Sequence, residues 1–151
     1  MMVWAAYSGY GKVELAFVTH KMNSEDYQVV LEEHLKPYFR RFRSVWWLTF
    51  QQDNASVHSS KSTMNWLGKT KVPILEWPAV SPDLNPMENV WDMMVRVVYD
   101  NARQYSSVAE LTEAIESAWD KIRARSLKNL NDSMPKHMKQ VFKIDGNSIS
   151  Y

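Results

Sequence analysis

The six residues Val45-Trp46-Trp47-Leu48-Thr49-Phe50 carry no charge and are almost all good β-formers. A run that short and that continuous reads as a strand buried on both faces, as parallel strands are. Residues 72–77 read as a second buried strand, and a short helix ending near Gly68 lies between the two. Upstream, Met2 to Tyr7 is apolar, Ser8-Gly9-Tyr10-Gly11 reads as a turn, and Val13, Leu15 and Phe17 alternate with Lys12, Glu14 and Ala16. That is the pattern of a β-hairpin.

The remaining segments carry helical periodicity. Asn23 and Ser24 are candidate caps for a helix with Tyr27, Val30, Leu31, His34, Leu35 and Tyr38 on one stripe. Pro86 suits a first helical position and Asn85 its cap. Met87, Val90, Trp91, Met94, Val97 and Val98 form the stripe that follows. Ser107-Val108-Ala109-Glu110 is a capping-box pattern that opens a helix with Val108, Leu111, Ile115, Trp119 and Ile122 on one face. Leu127, Leu130, Met134, Met138 and Val141 imply more helix, broken or restarted at Pro135. Prolines 73, 78, 82 and 86 push their preceding residues to extended backbone, so 77–85 is expected to be an ordered irregular loop. The order of hairpin, helix, strand, helix, strand and helices makes a mixed α/β domain.

The 151 residues suffice for one domain with a real core. Net charge is +1, so nucleic acid could be held only by local patches. There is no cysteine, which excludes disulfides and thiolate metal sites. The uncharged N-terminal stretch has no basic flank and meets Lys12 and Glu14 at once, against a signal peptide or a membrane span. The seven Trp and nine Met serve first as core.

Two carboxylates stand at the ends of apolar runs, Asp53 in Gln51-Gln52-Asp53-Asn54-Ala55 and Glu88 in Ser81-Pro82-Asp83-Leu84-Asn85-Pro86-Met87-Glu88-Asn89. Carboxylates at strand and helix ends can hold hard divalent cations, which activate nucleophiles against phosphodiesters. Ligands in open α/β sheets gather at the carboxyl ends of strands, where Asp53 would lie. Asp53 could equally cap the next turn. Glu88 could equally be the acid of a capping box at a positive helix end. Asp92, one turn on, shares a face with Glu88, or is simply solvated. His58 could orient a phosphate or water, or be a hydrogen-bonded histidine. Asp83, between prolines, reads as a loop-bonding residue. Lys36, Arg40, Arg41 and Arg43 interleave with aromatics, either as a nucleic-acid contact or as a solvated helix end.

Val3-Trp4-Ala5-Ala6, Phe50 to Ala55 with His58, Trp77-Pro78-Ala79, Ser81 through Asn89, and Trp91 together resemble the catalytic domain of Tc/mariner-type DNA transposases. The resemblance runs over essentially the whole chain. It implies an RNase H-like mixed sheet flanked by helices, and a triad of two Asp and one Glu holding two Mg²⁺ or Mn²⁺ ions for cleavage at transposon ends and strand transfer. Asp53 matches the second Asp and Glu88 the final Glu, making both catalytic and metal residues. His58, Asn54, Asn89 and Asp92 are the accessory candidates, with Lys36, Arg40, Arg41 and Arg43 for DNA.

No residue matches the family's first Asp. Asp26, the only Asp ahead of Asp53, opens an amphipathic helix. The expectation is therefore a catalytic domain over 1–151, lacking the central first strand and a helix-turn-helix domain, and inactive as it stands. The implied partners are transposon-end and target DNA, with a homodimer as candidate assembly and no membrane. The implied location is the nucleus. The alternative is a non-catalytic remnant that binds DNA or protein.

Overall fold

Hydrogen bonds that a sequence can supply locally decide most of the helix starts. A computed structural model of the chain describes residues 1–42, 44–45, 48–77 and 84–143. It forms two units. One comprises Met1–Ala6 and Val13–Val80, the other Tyr7–Lys12 and Ser81–Tyr151.

In the first unit, β1 (Met2–Trp4) pairs antiparallel with β4 (Ala16–Val18), with Val3 opposite Phe17. The expected alternation through Val13, Leu15 and Phe17 changes phase. Val13, Ala16 and Val18 are the buried residues. Residues 13–15 leave the pleat, and one irregular step moves every following side chain to the other face. Helix α1 (Ser24–Val30) begins in a complete capping box: Asn23 Oδ1 accepts from the Asp26 N–H, and Asp26 Oδ2 accepts from the Asn23 N–H, both at 2.9 Å. It runs through a π turn, Leu31–Leu35, into α2 (Lys36–Arg41). Pro37 has no N–H for the carbonyl four residues back, and the turn before it widens so that the Lys36 N–H reaches the Leu31 carbonyl.

Helix α3 (Lys61–Thr70) is capped by Ser60 and continues past Gly68, ending at Lys71 in the left-handed region, φ 56°. The core gathers Tyr27, Val30, Leu31, Leu35, Phe50, Leu67 and Val72, with Trp4 and Trp66 against it. The two buried strands expected at 45–51 and 72–77 meet as one parallel bridge, Phe50 with Ile74. Phe50 donates to the Pro73 carbonyl at 2.7 Å, and Leu75 donates back to Phe50 at 2.9 Å. Before it, the Val45 and Leu48 N–H groups bond to the carbonyls of Phe42 and Val45, so turn bonds occupy donors a longer ladder would use. Trp46 and Trp47 lie outside the described residues.

In the second unit, β2 (Tyr7–Ser8) pairs antiparallel with β3 (Gly11–Lys12), which tightens the expected turn to Gly9-Tyr10. Gly11, at φ 140°, adopts a backbone that side chains disfavour. Helix α4 (Pro86–Val98) starts as expected, with Pro86 in its first turn and Asn85 Oδ1 accepting the Met87 N–H at 3.2 Å. It buries Val90, Met94 and Val98, while Val97 is exposed. Helix α5 (Val108–Lys121) is capped by Ser107, but the Glu110 carboxylate reaches one residue further back, to the N–H and hydroxyl of Ser106. Val108 is exposed, and Ala118 and Trp119 carry the burial. Lys12 closes the other end, its ammonium on the Trp119 carbonyl at 2.6 Å, where a cation meets the negative helix end. Helix α6 (Ala124–Lys143) passes through Pro135 without a break, contrary to expectation, with Leu127 fully buried. Packing of α6 on α4 and on the small hairpin overrides local propensity there.

Candidate active site

Asp53 sits where the chain leaves the Phe50 bridge, in residues 51–55 that have no regular structure. Its Oδ1 accepts from the Ala55 N–H at 3.0 Å, an Asx turn, and from His58 Nδ1 at 2.5 Å. An ionised carboxylate only accepts, so His58 donates through Nδ1–H and keeps Nε2 for another partner. The Asp53 side chain is 54% exposed, and among the described residues nothing engages its Oδ2. The turn reading of Asp53 is realised at Oδ1, and Oδ2 makes no hydrogen bond among the described residues. Asn54 holds the same loop from the other side, its amide on the Trp77 carbonyl at 3.0 Å.

Beside this loop lies a part-buried polar relay. Tyr27, 1% exposed on α1, donates its hydroxyl to Gln52 Oε1 at 2.8 Å. Gln52 donates its amide to the His58 carbonyl at 3.1 Å. The Tyr27 and His58 rings lie 4.3 Å apart at 33°. Burial pushes the Tyr27 phenol well above its usual range; a hydrogen bond from Trp4 opposes this and the Asp53 charge adds to it. Tyr27 is therefore a permanent neutral donor. The sequence shows Tyr27 only as one member of an apolar stripe. The available signal was chemical: a phenol at a fully buried position needs a partner for its hydroxyl.

Glu88 stands exposed in the first turn of α4 and takes the Asn85 side-chain amide at 3.3 Å. The reciprocal bond of a capping box is replaced by this weaker contact, which leaves the carboxylate largely available. Asp92 is exposed one turn on, and Asn89 is half-buried. Asp83 and Arg43 lie outside the described residues. Asp26 is engaged by the Asn23 N–H and by His20 at 3.0 Å, which hold its carboxyl below the usual range. Its position is that of a capping residue.

The basic candidates divide. Lys36 is tied to Glu32 at 2.5 Å and lies over the Trp66 ring. Arg40 and Arg41 are exposed in the last turn of α2, Arg41 over Phe42.

Hard divalent ions take oxygen ligands, and Asp53 and Glu88 each offer available carboxylate oxygen, Asp53 with a histidine fixing its other oxygen. Among the described residues, no three His, Asp or Glu side chains form a group that could hold a metal ion. The chemistry of these oxygen donors fits Mg²⁺ or Mn²⁺.

Residues 1–112 match the family model described as DDE superfamily endonuclease. The chain belongs to this family. Within it the relatives are of Tc/mariner type. The transposable element Tc3 transposase of Caenorhabditis elegans is 44% identical over 151 residues, all of this chain and 46% of that protein. The chain spans about half the length of the curated relatives it matches. A structure of the Mos1 transposase catalytic domain and raltegravir with Mg superposes with a TM-score of 0.86 at 17% identity, covering 98% of this chain and 76% of that one. The Mos1 mariner paired-end complex with Mn gives 0.83 at 18%, covering 98% and 44%. The fold of this DDE family member is accordingly RNase H-like and mixed α/β, as the motifs imply.

Proposed function

We propose that these 151 residues are the catalytic region of a Tc/mariner-type DNA transposase, in which Asp53 and Glu88 are metal-binding catalytic carboxylates. The observation that carries this is Asp53 itself, with one oxygen locked by His58 and Ala55 and the other unpaired, inside the motif the family shares. When bound, Mg²⁺ or Mn²⁺ supplies Lewis-acid polarisation of a phosphodiester. Asp53 offers Oδ2 to the ion, and His58 stops the carboxylate from turning away. Glu88 offers its carboxylate from the first turn of α4, a rigid element. Asn54 fixes the Asp53 loop to the segment ending at Trp77. The partners are DNA, as transposon ends and target, which puts the working protein in the nucleus. Arg40 and Arg41, the exposed cations of α2, are the proposed backbone contacts, with a homodimer as the assembly.

Taken alone, this chain is proposed to bind the metal weakly and not to cut or join DNA. Two divalent ions bring four positive charges, and Asp53 with Glu88 supplies two negative ones. One ion with one or two carboxylates and water remains workable. The test is incubation of the purified chain with transposon-end DNA and Mn²⁺. No cleavage is expected. Cleavage that disappears in Asp53→Ala would show that two carboxylates suffice. DNA retained without any response to metal would favour a non-catalytic DNA-binding module.

A further inference from the structure

We propose that Tyr27 is the positioning residue for the Asp53 carboxylate, acting from α1 through Gln52 and His58. The inference rests on Asp53 being the metal-binding carboxylate. A ligand carried on an irregular loop needs support from a rigid element. The two bonds that Asp53 makes are to Ala55 and His58, which belong to its own loop and move with it. Tyr27 is different. It sits in a helix fixed by its capping box and is 1% exposed.

One side chain there reaches two residues that flank or hold Asp53. Its hydroxyl bonds to Gln52, the residue before Asp53, at 2.8 Å, and its ring lies 4.3 Å from the ring of His58, which holds Oδ1. The Gln52 amide then closes the circuit on the His58 carbonyl. Trp4, on β1, packs against the same core cluster. A core tyrosine with a merely structural role would need one partner for its hydroxyl. This one also lies against the ring of the histidine that orients the carboxylate, and its single hydroxyl partner, Gln52, is the residue that holds that histidine's carbonyl.

The two roles separate in Tyr27→Phe, which keeps the ring and most of the core volume and removes the hydroxyl. The readout is the His58 Nδ1–H proton resonance of the metal-free chain, which a held hydrogen bond to Asp53 protects from exchange with water. It is expected in the wild type, absent in Asp53→Ala, and lost or broadened in Tyr27→Phe while cooperative unfolding persists. Mn²⁺ affinity should fall about tenfold or more in Tyr27→Phe, the usual effect of losing an outer-shell partner. An unchanged Nδ1–H resonance in folded Tyr27→Phe would overturn the proposal. Should that variant not fold, Gln52→Leu, which leaves Tyr27 in the core, makes the same test with the same two outcomes. A Mn²⁺ affinity that Asp53→Ala leaves unaltered would instead remove the metal reading, and the His58 resonance would still decide the positioning role.

Discussion

Asp26 and Asp53 show how much a single carboxylate's neighbours decide. Both accept a backbone N–H and a histidine on a single oxygen, yet Asp26 does so inside a complete capping box at a helix start, and Asp53 on an irregular loop beside a part-buried relay. Asp26 makes a prediction of its own. Its folded pKa is depressed below the ordinary value of 3.8, chiefly by the Asn23 N–H and then by His20. The stability it contributes is therefore fully present above the unfolded pKa and is lost as pH falls through the folded one. Glu110 behaves alike through its bonds to Ser106. Urea midpoints of the wild type should drop between pH 5 and pH 3, and Asp26→Asn should flatten part of that drop. An identical pH dependence in the two proteins would rule out the linkage. The cap at Asn23 was readable because it needs only residues three apart. The partner of Tyr27 lies 25 residues along the chain, and no local pattern carries that.

At the level of elements, α4 was readable for the same reason as the Asn23 cap: Asn85 and Pro86 act on their own neighbours. The strand at 45–51 was not. Its apolar run described burial, but a ladder depends on donors and partners elsewhere, and turn bonds at Val45 and Leu48 reduce it to the Phe50 bridge. Pro135 departs from local expectation in the opposite direction, since tertiary packing carries α6 across a residue that withholds one helical hydrogen bond. Pro135→Ala restores the N–H for the Asn131 carbonyl and should raise stability, by up to about 3 kcal/mol. Asn23→Ala, which removes the α1 capping box, should cost about 1–2 kcal/mol. Both are checked by urea unfolding at constant m-value. A stabilised Asn23→Ala would contradict the assignment of that cap.

For the whole molecule, a net charge of +1 leaves the proposed DNA binding to local groups of exposed cations. Each phosphate contact contributes roughly 0.9 to the slope of log affinity against log salt on duplex DNA. Replacing both Arg40 and Arg41 with Ala should therefore lower that slope by about 2, whereas Lys36→Ala, which removes a cation already paired with Glu32, should change it little. Equal slopes in the wild type and both variants would remove α2 from the DNA interface. The family and its mixed α/β fold were accessible from the motifs around Asp53 and Glu88; the support behind Asp53 was not, because it joins Tyr27 on α1 to Gln52 and His58 in a distant segment. The central claim is that both motif carboxylates are metal ligands. Mn²⁺ titration of the metal-free chain, followed by the electron paramagnetic resonance signal of free ion, tests it directly. Weak binding to the wild type, weakened further in both Asp53→Asn and Glu88→Gln, is the predicted result; binding that neither substitution alters would contradict it.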